Sequence, residues 1–522
     1  MLRLTPSAKP KTTATPVLRA ICASVLIAAQ ALLPIPASAQ MQQILPGMGD
    51  GGEMTASAER SLGDQIAREL YRDTDYIDDP VIAAYVQEIW QRLLAAARTR
   101  GELTPELDER FAWTILLGRD RNINAFALPG GYLGLNLGLI AAVGSRDELA
   151  TVLGHELSHV TQRHISRIMA KQSKQMPLML AGLILGMIAA SKSRNGDAGQ
   201  AVIMGSQALF MQNQLSFSRD MEREADRIGF GVMTQAGFAP QGAAAMFEKL
   251  QYASRLNDNG SYPYLRSHPL TTERISDMQG RFQFRMDTAP AMPLAMDHAM
   301  IASRARVLTR PGVDVLRLWI DAAASGEFAK SSPAQQAGTL YAAALSAKEL
   351  RDYKAARLLA ERLVARTAED APAAKQARWL SAEIELAAGA PAKAAALLDA
   401  KSKERPEMIL AAEAATATRQ PVPMIAALRD WVAANPRDAT AWRTLANLYG
   451  AQNDTLRAVR ADAEANVAIL DYPAARDRFK AAQELMRKSG PSIDHYEASI
   501  IDTRARAIDV LVKQQAEEPP LK

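Results

Sequence analysis

The chain has 522 residues, 48% of them apolar and 23% charged, ordinary values for folded domains. That length accommodates two or three domains with their own cores and excludes large-scale disorder and collagen-like repetition. The net charge of +4 gives no support for nucleic-acid binding: the first 39 residues carry Arg3, Lys9, Lys11 and Arg19 and no acid, so the remainder is formally neutral.

Residues 1–39 read as a secretory signal peptide. A basic stretch ends at Arg19, an apolar run follows from Ala20 to Leu33, and Ala37-Ser38-Ala39 fits a small-x-small cleavage pattern before Gln40. The run is short against the roughly 20 residues that span a bilayer, which favours cleavage over an uncleaved anchor. Cys22, the only cysteine, falls inside this segment without the small-residue box of a lipoprotein. The mature chain is then free of thiols, which suits an oxidising compartment and excludes cysteine nucleophiles, Cys-ligated zinc and iron–sulfur clusters. Residues 40–55, rich in Gly, Met and Gln, read as a flexible leader.

Helical periodicity is expected over Ala58–Tyr71 and Pro80–Ala97. Phe111–Leu117 is strand-like, and Asn122–Leu137 holds two more strand-like pieces around the turn signal Pro129-Gly130-Gly131. Asp147–Ala170 reads as one long helical stretch. It contains Gly154-His155-Glu156-Leu157-Ser158-His159. Histidines four apart on a helix lie one turn apart on one face, so both imidazoles can reach one metal ion, and Glu156 projects beside them towards a bound water. A catalytic zinc needs three protein ligands and an open position. A metzincin would place Gly and His three and six residues after His159, where Gln162 and Ile165 stand. His164 is out of register with His155 and His159 and is expected on the solvent side.

Residues 178–211 hold a 13-residue run of apolar residues and glycine, Leu178–Ala190, a polar loop and a second, less apolar stretch. The run is too short for a simple span and reads as a cleft cover or a hairpin leaning on a membrane surface. A further helix is expected over Arg219–Gln235. Within it Glu222 and Asp226 share a face: Glu222 can bind the metal while Asp226 accepts a hydrogen bond from the far nitrogen of a ligand histidine. Glu224 should face away.

Asp287–Pro293 looks like a linker. Beyond it strand signals cease, and helix pairs follow with breaks expected at Gly389, Pro406, Pro421, Pro436 and Gly490. Trp442-x2-Leu445-Ala446-x2-Tyr449, with Ala458 and Ala465 beyond, matches the tetratricopeptide spacing, and Asp352-Tyr353-x2-Ala356 and Asp471-Tyr472-x2-Ala475 are degenerate echoes of it.

The H-E-x-x-H motif followed at a distance by Glu222-x-x-Ala225-Asp226 resembles the M48 family of metallopeptidases. Asn124-Ala125-Phe126-Ala127-Leu128-Pro129-Gly130-Gly131 is similar to that family's strand before the active-site helix, and His268-Pro269 with Arg274-Ile275 to its downstream H-P-x4-R-I element. The signal segment and the repeats narrow the resemblance to the periplasmic members that serve beta-barrel assembly.

The fold class implied is α+β, mostly helical. A gluzincin-like metalloprotease domain with a small sheet would cover residues 56–285, with a linker over 286–299. An all-α tetratricopeptide-like solenoid would cover 300–516, with a tail over 517–522. The resemblance implies one Zn2+ per chain held by His155, His159 and Glu222, with Glu156 as base and Asp226 orienting a ligand. His268 either occupies the open position in a latent state or packs as a loop histidine below the site, and Arg274 supports the loop or an oxyanion. An extended substrate would pair with Asn124–Leu128. Expected partners are unfolded or misassembled envelope proteins and, through the repeats, the outer-membrane assembly machinery. The alternative function is a chaperone or scaffold whose protease site stays latent.

Overall fold

The computed structural model describes residues 54–170, 218–255, 262–283, 294–420, 422–489 and 494–518. The expected signal peptide, nearly all of the leader and the 178–211 insert lie outside the described residues. Among the described residues no helix is long and apolar enough to cross a membrane.

Helix α1, Ala56–Arg72, starts at Thr55, whose hydroxyl accepts from the Ala58 N–H. Helix α2, Pro80–Thr99, starts at Asp79 with Pro at its first turn, a position where proline's missing N–H is harmless. Its apolar face carries Val81, Ile82, Tyr85, Val86, Ile89, Trp90 and Leu93 into the main core. The sheet has the order β1-β2-β4-β3. Strand β1 (Tyr76–Ile77) pairs antiparallel with β2 (Thr114–Gly118), β2 runs parallel to β4 (Tyr132–Asn136), and β3 (Ala125–Leu128) is antiparallel to β4. Strand β3 therefore forms one edge of the sheet, and beside it runs helix α3, Arg146–Thr161.

The long helix expected from residue 147 to 170 is two helices. α3 stops at Gln162, Arg163 takes φ 52°, and α4 spans His164–Ala170. The Arg163 side chain stabilises the corner by donating to Glu59 (3.0 Å) and to the Met54 carbonyl. Helix α5, Arg219–Gln235, is capped by the Ser218 hydroxyl, which accepts from Met221 N–H. It lies against α3 at two glycines. A Cβ on Gly229 would fall 2.9 Å from the Gly154 carbonyl and the His155 nitrogen, so the two backbones touch there. Helix α6, Thr272–Gln283, follows the loop bearing His268.

Residues 296–299, expected within the linker, form the first turn of helix α7, Met296–Leu308. His298 is buried there: its Nδ1 lies 2.7 Å from the Tyr85 hydroxyl and its Nε2 3.0 Å from the Val143 carbonyl. α7 faces both ways. Ile301 and Ala305 join the core of the N-terminal half, and Met300 and Val307 join the next cluster. Trp379 and Leu410 enter the first core as well, so the C-terminal helices are continuous with it.

Those helices follow one another through a recurring joint. A residue with positive φ (Arg351, Asn453, Leu470) ends one helix, and the next residue's N–H bonds back to a carbonyl five earlier (Asp352 to Ala347, Asp454 to Tyr449, Asp471 to Asn466). The same aspartates then cap the following helix. In the pair Ala439–Ala451 and Thr455–Ala468, Trp442, Leu445, Tyr449 and Ala465 meet in one cluster, as their spacing suggests. Gly389 and Pro436 stand at breaks, whereas Pro406 lies inside the first turn of Arg405–Ala417; Pro421 and Gly490 lie outside the described residues.

Ion pairs clasp the helical array to the N-terminal half. Arg304 donates to both Asp79 oxygens (2.7 and 2.6 Å) and to the Tyr341 hydroxyl, and it pairs with Glu383 at 2.9 Å. Arg405 binds Asp78 (2.6 Å) and Asp438 (2.7 Å). Glu518, expected in the tail, meets Arg68 of α1 at 2.9 Å. Between the halves lies a cavity of about 680 Å³ bordered by Tyr76, Trp113, Arg405, Trp431 and Asp438.

Candidate metal centre

His155 and His159 project from one face of α3, with Nε2 atoms 3.0 Å apart. Glu222 enters from the first turn of α5: Oε2 is 3.5 Å from His155 Nε2, and Oε1 is 3.5 Å from His159 Nε2. His268 comes from the loop before α6, its Nδ1 2.9 Å from Glu222 Oε1 and 3.3 Å from His155 Nε2. One donor atom from each of these four residues falls within 4.8 Å of all the others, and all four are buried. His268 thus lies among the groups that could hold a metal ion.

This donor set fits a zinc ion. Three imidazoles and a carboxylate are borderline-soft and hard donors of the kind zinc takes, and electron-pair donors this close repel unless a cation or protons lie between them. Protons take that part where metal does not. Against the cost of burial, the hydrogen bonds to Asp226 and Glu222 lift the His155 imidazolium to about 10. Burial, with the charge on His155 next, holds His159 well below its usual range. Burial opposes ionisation of Glu222, yet His268 and His155 keep its carboxyl well below the ordinary carboxylate range.

Glu156 points from α3 to the sheet edge. The Ala127 N–H of β3 donates to its Oε2 at 2.9 Å, while Oε1 is buried without a hydrogen bond, 3.4 Å from His268 Nε2. Burial raises the pKa of this carboxyl. Asn124 immediately precedes β3, and Ala125, Phe126, Ala127 and Leu128 form it, so the expected substrate strand is an edge strand next to the centre.

Asp226 Oδ1 lies 2.9 Å from His155 Nδ1, the outer hydrogen bond its spacing from Glu222 suggests. Arg274 grips both Asp226 oxygens (2.7 and 2.8 Å), approaches Glu222 Oε2 to 2.8 Å and donates to the Pro269 carbonyl. Its planar fork thus joins the carboxylates of α5 to the loop that holds His268. Burial works against the Asp226 charge, but Arg274 more than offsets it and keeps the carboxyl low.

His164 corrects an expectation. It is fully buried, not on the solvent side: its Nδ1 is 2.9 Å from His159 Nδ1 and its Nε2 3.1 Å from Glu224 Oε2. Burial, ahead of the opposing bond to Glu224, lowers its pKa to about 4. On a continuous helix residue 164 would sit about 140° around from 159, and the corner at Arg163 removes that separation. Glu224 does face away from the ligand group, towards His164 and Arg167. The paired glycines were also missed, although a glycine inside an otherwise regular helix pattern signals close packing.

The family model for peptidase family M48 matches residues 81–282. A Vibrio cholerae relative is 35% identical over 288 residues, 54% of this chain and 55% of its own length, so the match spans about half of that protein. The beta-barrel assembly-enhancing protease of Yersinia pestis is 30% identical over 434 residues, 80% of this chain and 84% of the relative. The protein of that name from Escherichia coli K12 is 32% identical over 347 residues, 65% and 67% of the two chains. A buried histidine–glutamate group on two helices, the matched family model and a relative similar over most of its length agree: the chain belongs to peptidase family M48, the metallopeptidases whose zinc this donor set fits.

Proposed function

We propose that the chain is a zinc endopeptidase of the bacterial envelope that cleaves misassembled outer-membrane proteins. The observation that carries this reading is the convergence of His155, His159 and Glu222 beside a base, Glu156, that faces an edge strand. The names of the relatives supply the envelope setting. His155, His159 and Glu222 hold the metal, and Asp226 orients His155. Bound zinc supplies a Lewis acid that makes water nucleophilic near neutral pH and polarises a carbonyl. Glu156 takes the proton of the attacking water and returns it to the leaving amine. Strand β3 receives the substrate as an added strand, which favours unpaired, unfolded segments over finished domains.

In the same reading His268 competes with water and substrate for the centre, so the resting enzyme is latent. Its place within 2.9 Å of Glu222 supports this. The signal peptide places the mature chain in the periplasm, the C-terminal helices act as tetratricopeptide-like repeats that dock partners at the assembly machinery, and residues 178–211 cover the cleft or touch the membrane surface.

The test is cleavage of casein and of an unfolded outer-membrane protein by the purified mature chain, with and without a zinc chelator. Chelator-sensitive cleavage that rises in His268→Ala supports the reading. Absence of cleavage by that variant loaded with zinc overturns it.

A further inference from the structure

We propose that His164 and Glu224 form an outer relay that fixes the orientation and tautomer of His159 for metal binding. The proposal rests on the metal-centre reading above. His155 has its carboxylate directly, through Asp226, whereas the Nδ1 of His159 faces another imidazole. The two rings stand nearly perpendicular, 77° apart with centroids at 4.9 Å, and their Nδ1 atoms are 2.9 Å apart.

A neutral imidazole has one N–H and one bare nitrogen. His159 turns Nε2 towards His155 and Glu222, so a metal there takes the lone pair of Nε2 and the proton resides on Nδ1. That N–H can be received at His164 only by a bare Nδ1. His164 then carries its own proton on Nε2, which it donates to Glu224 Oε2 at 3.1 Å. Arg167, one turn into α4, anchors the same oxygen at 2.9 Å. Each choice forces the next, and the wrong tautomer at any ring sets two N–H groups or two lone pairs against each other.

The chain geometry that builds this contact is specific. α3 and α4 meet at Arg163 with φ 52°, a backbone angle that L-residues adopt at a cost. That corner turns His164 under His159, where its side chain has no solvent exposure. Glu224 stands two residues after Glu222 on α5, so one helix supplies the carboxylate inside the centre and the carboxylate at the far end of the relay.

The experiment measures zinc affinity by chelator competition on the full mature chain, comparing the parent with His164→Leu, His164→Asn and Glu224→Ala. Loss of an outer partner of a ligand histidine weakens metal binding by about 10–100-fold, and that is the expected loss for His164→Leu. Asparagine keeps an acceptor near the position of Nδ1, so His164→Asn is expected to recover most of the affinity, a rescue that simple loss of packing would not show. Glu224→Ala, on a partly exposed side chain, is expected to weaken binding by less than the His164→Leu change and serves where His164→Leu fails to fold by circular dichroism. Equal affinity of parent and Leu variant, no rescue by Asn, or an unchanged Glu224→Ala overturns the relay. A parent that binds no zinc overturns the metal centre itself, and the two failures are told apart by that measurement.

Discussion

At the Arg304 clasp a guanidinium meets two carboxylates directly; around His155 and Glu222, electron-pair donors face one another. Arg304 spends its donors on Asp79, Tyr341 and Glu383, and one of those partners also caps α2. The centre is as deeply buried, yet the guanidinium within it, Arg274, is committed to Asp226, Glu222 and the Pro269 carbonyl. The first arrangement is complete in itself and serves architecture. The second is complete only with protons or a divalent ion, which is what makes it a site.

Glu156→Gln should sharpen this contrast most. Cleavage is expected to fall by about 10³-fold, with zinc stoichiometry and thermal midpoint kept, in a casein assay paired with metal analysis. At the clasp, Arg304→Met should lower unfolding free energy by about 3–5 kcal/mol in a denaturant titration, because Asp79 is left buried without its guanidinium and Glu383 keeps only Lys348, at 3.9 Å. If that variant also lost zinc, the two clusters would be one cooperative unit and the comparison would break. Gly229→Ala forces α5 away from α3 and is expected to cut kcat/KM by up to about 10²-fold through misplacement of Glu222.

Taken per pH unit the effects are smallest, and they separate the clusters again. Zinc must displace the Nε2 proton of His155, on the side of Glu222, while Asp226 keeps the proton on Nδ1; the imidazolium pKa is about 10, so affinity should fall by about tenfold for each pH unit lost below that value. Isothermal titration over a series of neutral and mildly acidic buffers reads that slope. Asp79 behaves otherwise. Burial raises its pKa, but Arg304 outweighs burial and the carboxyl ends below 3.8. Its contribution to stability is therefore full above the ordinary aspartate range and is lost only as pH falls through the lower folded value. Between about pH 5 and 8 the clasp should be insensitive while metal affinity changes.

Much of the centre was legible because its signals are local. His155 and His159 declare a shared helix face by spacing alone, and Glu222 and Asp226 do the same on α5. The edge strand was legible from its neighbouring Pro-Gly-Gly turn. The corner at Arg163 was not, since a non-glycine residue with positive φ leaves no mark in the sequence, and with it went the burial of His164. The clasp was invisible for another reason: Asp79, Arg304 and Glu383 are brought together by packing from distant parts of the chain. The same packing turns residues 296–299 from an expected connector into a helix buried on both sides.

The contact of Gly154 with Gly229 acts as a notch between two rods. Glu222 and Asp226 are one turn apart, about 6 Å along the axis of α5, and chemically near twins. If α5 slid by a single turn, Asp226 would arrive where Glu222 stands, with a side chain one methylene shorter. Two smooth spots locked together disfavour that alternative registry, so the absence of two methyl groups helps decide which acid faces the imidazoles.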